Sequence, residues 1–162
     1  MRDELRTVLS LALSRDGFRQ MLQGSLPHAE ALFTEALALD ETNAYARLGL
    51  AEVTASREQL AAALPKYREA IEQARPEDRS QFLEVFVAAL VRAAVKAREE
   101  GDSGRAERYF GEALLLTSND TLRLACHEAL AGLCAESGRN EAAAWHFSQA
   151  LSGLPEDEWE PE

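Results

Sequence analysis

Three histidines, two cysteines and a recurring arginine are the residues of this 162-residue chain best suited to chemistry. His127 and His146 fall on different expected helices, with Cys126 beside the first, so two imidazoles and a thiol could meet at a metal. The ordinary alternative is histidines satisfied by neighbours or by water, and no metal site is expected; His28 stands apart, at a helix start. Cys126 and Cys134 lie about 12 Å apart at the helical rise, too far for a mutual disulfide. They read as small buried residues in a reducing, cytoplasmic compartment. The 28 acidic residues read as a solvated surface with no pair singled out as general acid and base. There is no Ser/His/Asp set at a recognisable elbow and no glycine loop that would cradle phosphate. An enzyme is not expected, and no cofactor is implied. Arg15, Arg47 and Arg92 each stand two residues before a small one, Gly17, Gly49 or Ala94. Guanidinium groups bond carboxylates bidentately, so such a series suits either an acidic partner or the chain's own Asp and Glu.

The elements that position these side chains are helical. Proline is scarce at five residues, strand-type alternation is absent, and hydrophobic content is an ordinary 46%. One all-α domain with a real core is expected. The net charge is −11; the last seven residues, EDEWEPE, hold five of the acids, which leaves −6 on the rest. Such a field repels phosphates and anionic lipid, so neither nucleic acid nor membrane is an expected partner. The apolar run from Val8 to Leu13 is too short and wrongly flanked for a signal peptide or a span.

A spacing recurs along the chain. Ala29/Phe33/Ala36-Leu37, Ala63/Tyr67/Ala70-Ile71, Ala106/Phe110/Ala113-Leu114 and Ala143/Phe147/Ala150-Leu151 share one four-then-three register. Positions four and seven along from an alanine share a helix face, so each block offers a small-aromatic-small surface to a close neighbour. Gly24, Gly101 and Gly138 stand five residues before their alanines, and Gly17, Ala94 and Ala131 twelve before. In the second block the small residue, Gly49, lies fourteen before Ala63. With Leu130-Ala131 and the closing Pro155, this register resembles the tetratricopeptide repeat over residues 10 to 155.

The resemblance implies a right-handed α-solenoid of about four helix-turn-helix repeats, near 10–43, 44–77, 79–120 and 121–155, in a single domain 1–155 with an acidic tail, 156–162. Repeat one is weakest in its first half, where Asp16 replaces a large residue and a break is expected. In repeat two, Ser56 and Gln59 look like a capping box that starts a helix near Arg57 and makes Pro65 a kink; otherwise the helix restarts at Pro65.

In this family the first helices line a concave groove that receives a peptide or a partner helix. The implied groove residues are Arg15, Phe18, Met21, Arg47, Leu50, Val53, Val91, Arg92, Val95 and Arg98. They suit a partner with apolar anchors and acidic residues, and the chain reads as an adaptor or scaffold. Some members clamp the C-terminal carboxylate of chaperone tails with lysine, asparagine and arginine. Ser14 and Phe18 stand at the lysine and asparagine positions in the first repeat, and Val91 lies near Arg92 in the third. Only the arginines match, so that clamp is not expected. Arrays of this family usually end in a solvating helix, and none follows Pro155 in the sequence. The edge implied there carries Trp145, Leu151 and Leu154. Either Trp159 folds back on it or the edge self-associates, which makes a homodimer or homo-oligomeric scaffold the alternative reading.

Overall fold

The computed structural model describes residues 2–57 and 60–152. Among them are eight helices and no strand: α1 (Arg2–Leu22), α2 (Leu26–Leu39), α3 (Ala44–Ser56), α4 (Leu60–Gln73), α5 (Arg79–Glu99), α6 (Ser103–Leu116), α7 (Asp120–Glu136) and α8 (Asn140–Ser152). Consecutive helices pair as α1/α2, α3/α4 and α7/α8, the helix-turn-helix arrangement that the repeated spacing implies. Gly24, Gly101 and Gly138 turn the chain with φ near +80° (78, 80 and 75°), the left-handed region that glycine enters at no steric cost. Behind Gly24 the amide of Ser25 donates to the carbonyl of Gln20 and that of Gly24 to Met21, which closes the end of α1.

Two expectations are corrected. No break occurs at Asp16: α1 runs unbroken through it, with the half-exposed Asp16 carboxylate 3.1 Å from Arg19. An acid is tolerated there because it faces out, while the adjoining Gly17 is the residue that packs. Nor does Ser56 cap the following helix. Arg57 is the C-cap of α3, and the Ser56 hydroxyl donates back to the Glu52 carbonyl inside that helix instead of capping the next. α4 is helical from Leu60 and carries exposed Pro65 within it. Gln59, Leu154, Pro155, Trp159 and the tail 156–162 lie outside the described residues.

The chain divides within α5 into two compact units, one up to Ala89 and the other from Leu90. In the first, Phe33 is fully buried among Ala29, Ala36, Ala46 and Val53, with Leu13, Phe18, Met21, Leu37 and Leu50 packed around them. Its ring lies between two helices that meet it with glycine. A Cβ at Gly17 would stand 2.6 Å from the ring, and one at Gly49 2.3 Å. Tyr67 repeats the arrangement, fully buried and 5.9 Å from the ring of Phe86 on α5. In the second unit Phe110 is buried with Ala106 and Ala113, and Cys126, Leu130, Ala131, Leu133 and Cys134 form the buried face of α7. Both cysteines are free, and burial pushes the Cys126 thiol up, away from the reactive thiolate.

One polar cluster interrupts the first core. Asn43 caps α3, its side-chain oxygen accepting from the Ala46 amide at 3.1 Å. Its amide nitrogen donates to the hydroxyls of Ser10 (2.7 Å) and Ser14 (3.0 Å), and Ser10 donates in turn to the Ala36 carbonyl (2.7 Å). All three side chains are buried, and one hydrogen-bonded set ties α1, α2 and α3 together.

Candidate binding surfaces

The first candidate surface lies on α1 and α3 within the first unit. A pocket of about 300 Å³ is lined by Leu11, Ser14, Arg15, Phe18 and Tyr45. Phe18 forms an apolar wall, held edge-on to Phe33 with ring centroids 5.0 Å apart. Tyr45 is fixed from below: it stacks edge-on against Phe82 at 5.1 Å, and its hydroxyl bonds to Asp78, which also accepts from Arg75 at 2.8–2.9 Å. Burial and the Asp78 carboxylate hold the Tyr45 phenol above its usual range, so it stays protonated and donating. The Tyr45 and Arg75 bonds hold the Asp78 carboxyl low. Arg15 is exposed at the pocket and has no ion pair or hydrogen bond among the described residues. An apolar recess with one free guanidinium at its lip can take an apolar side chain whose neighbour carries a carboxylate.

The other groove residues named from the sequence have varied surroundings. Met21 and Leu50 are half-buried against the Phe33 core, and Val53 lies inside that core, 1% exposed, where a partner cannot touch it. Arg47 is half-buried and held by its own chain: it donates to the Glu41 carbonyl at 2.8 Å and stands 3.7 Å from Glu69. Its Nε is buried without a partner. In the second unit Arg98 stands 3.5 Å from Glu136, and exposed Arg92 is likewise engaged. Val91 is half-buried and Val95 exposed. Sequence reasoning missed Tyr45 and Leu11. Tyr45 precedes Gly49 by four, the spacing that puts two residues on one helix face.

The second candidate surface is α8. Trp145 is 55% exposed, and Phe147 and Leu151 are each 47% exposed. The exposure of Phe147 is a departure, since Phe33, Tyr67 and Phe110 at the same register are buried. Each of those rings has a following helix over it, and no described helix covers Phe147. Behind this face the Nδ1 atoms of His127 and His146 meet at 3.1 Å, and Trp145 lies edge-on to both rings. One Nδ1 must donate and the other accept, so the two rings cannot both be cationic while this bond is made. Burial, His146 and Arg123 hold His127 below the usual histidine range. Burial and Arg139 do the same to His146 against the opposing pull of Glu107. The convergence of these rings is present, but among the described residues no group of three or more His, Cys, Asp or Glu could hold a metal ion.

Neither a family model nor a curated protein matches the sequence. Solved structures match the fold. BtubC (BKLC) from P. vanneervenii superposes with a TM-score of 0.62 at 16% identity, over 97% of this chain and 68% of that one. MamA superposes with a TM-score of 0.59 at 17% identity, over 89% and 77% of the two chains. The N-terminal domain of stress-induced protein-1 (STI-1) from C. elegans gives 0.57 at 19% identity, over 76% and 96%. MamA and the STI-1 domain are tetratricopeptide-repeat proteins, and the fold of this chain is of that all-α repeat class.

Proposed function

We propose that this chain is a protein-interaction adaptor that takes a partner segment on the α1/α3 surface, through an apolar anchor followed by an acidic residue. The observation that carries the reading is the Arg15–Phe18–Tyr45 pocket: an apolar recess, with Tyr45 held in place, beside a guanidinium that has no ion pair among the described residues. Helical-repeat interaction proteins as a class support it. The reading involves no catalytic step and no cofactor. Partners are proteins or peptides, not nucleic acid or anionic lipid, given the charge of −11. No helix among the described residues is long and apolar enough to cross a membrane; a cytoplasmic setting is part of the proposal.

The test is selection from a displayed peptide library, with affinities read by fluorescence anisotropy. Enriched peptides are expected to carry an apolar residue next to Asp or Glu. Arg15→Glu is expected to weaken them about 10- to 100-fold, the equivalent of one charge-assisted bond of about 1.5–3 kcal/mol. Peptides that bind the variant as tightly as the wild type would remove the pocket from the function.

A second reading is a homo-oligomeric scaffold that associates through α8, and exposed Phe147 favours it. An aromatic that is buried at three equivalent positions and half-exposed at the fourth is a surface waiting for a neighbour.

A further inference from the structure

We propose that the α8 face of one copy is covered by α1 of a second copy, head to tail, in the way that α3 covers α2 within the chain. The proposal rests on the reading of α8 as an association surface and names what occupies it. Inside the first unit Phe33 is closed over by α3, which lays the stripe Ala46, Gly49, Leu50, Val53 against α2 and its core. That stripe has the i, i+3, i+4, i+7 spacing of one helix face. The same spacing recurs in α1 as Leu5, Val8, Leu9 and Ala12, and the first three of these are 65, 64 and 51% exposed. Every residue from Asp3 to Leu9 is exposed, so this apolar stripe of α1 is open to solvent. Among the described residues, α8 therefore lacks a cover, and the outer stripe of α1, opposite the side that packs on α2, is left open.

Charge favours the same pairing. A protein at −11 repels its own copies, and a contact between them must fall where that charge is missing. Between Ala144 and Ser152 there is no Asp, Glu, Lys or Arg, and between Leu5 and Ser14 the only charged residue is Arg6. Interface cores are depleted in charge in the same way. Because the two faces differ, each copy offers one of each, and the contact is heterologous: it extends into a series rather than stopping at a dimer.

Sedimentation velocity over a concentration series tests this with wild type, Leu5→Glu/Val8→Glu, and Phe147→Glu. Leu151→Glu serves as a milder second α8 variant, and circular dichroism checks folding. Wild type is expected to sediment as a concentration-dependent series of multiples of 17.8 kDa. Each variant alone is expected to stay monomeric. An equimolar mixture of an α1 and an α8 variant keeps one intact contact per pair, so it is expected to form heterodimers and nothing larger. A mixture that stays monomeric overturns head-to-tail pairing. Association lost with the α8 variants but untouched by the α1 variant would mean that α8 pairs with α8; pairing with α1 then fails and the α8 reading stands. Wild type that is monomeric throughout the series overturns both.

Discussion

Identical substitutions at two glycines should have opposite signs. Alanine is favoured over glycine in a helix by about 1 kcal/mol. At Gly49 the new Cβ would stand 2.3 Å from the Phe33 ring, and Gly17 closes the other side of that ring. Overpacking of that kind costs about 1–3 kcal/mol, or more where the ring cannot move, so sterics win. Gly49→Ala is expected to lower the urea midpoint, whereas Gly111→Ala, with nothing within 4 Å of its Cβ, is expected to raise it. A rise in both would show that Phe33 has room. The histidine pair supplies a pH prediction. Both folded-state values lie below the ordinary 6.5, so below that pH the unfolded chain binds protons that the folded chain does not. Stability is therefore complete above about 6.5 and falls as pH drops from there through the folded values. Thermal melts between pH 7.5 and 5 should show this slope, and His146→Gln should flatten it. The meeting of these rings was foreseeable from the pairing of α7 with α8. The approach of Arg47 to Glu69 was one of the two readings open for that arginine. Its bond to the Glu41 carbonyl was not legible, because it depends on how the turn before α3 aims that group.

Single caps decide how firmly whole helices are held. Asn119 caps α7 on an exposed turn, accepting from the Leu122 amide at 3.0 Å, and its loss to alanine is expected to cost about 1 kcal/mol. Asn43 does the same for α3 and in addition bonds two buried hydroxyls of α1. Its removal leaves those groups short of a partner, each such loss costing about 1–3 kcal/mol. Asn43→Ala is thus expected to destabilise at least twice as much as Asn119→Ala in chemical denaturation; equal losses would mean that Ser10 and Ser14 find other partners. The helices themselves were legible from the alanine-aromatic register, because only a 3.6-residue period brings Ala29, Phe33 and Ala36 to one face. The Asn43 cluster was hidden, since its partners lie 29 and 33 residues away and converge only once three helices have packed. Pro65 was legible as a proline within the helix, and α4 accommodates it on its exposed side.

Across the whole molecule, protection should follow coverage. Helices in repeat proteins draw stability from neighbours on both sides. α3 buries Ala44, Ala46, Leu48, Gly49, Ala51, Val53 and Ala55, while α8 buries only Ala143 and Ala150. Amide hydrogen exchange in dilute solution is expected to be fastest in the first turns of α1 and in α8, and slowest in α3. Equal protection of α8 and α3 in a monomeric sample would contradict this. The uncovered state of α8 was only half legible in the sequence. Trp145 and Leu151 were read as edge residues, whereas Phe147 looked like its three buried counterparts, because register reports the helix face and says nothing of whether a neighbour arrives.

The placement of Trp145 against both imidazoles has a spectroscopic consequence. An excited indole passes an electron readily to an imidazolium and poorly to a neutral imidazole, so emission from Trp145 should dim as the pair takes up a proton. The chain has two tryptophans, and Trp159→Phe leaves this one alone to report. Its intensity then reads the charge of the histidine pair, and its wavelength reads how much water reaches α8, so a single cuvette can follow both acid and assembly without a label.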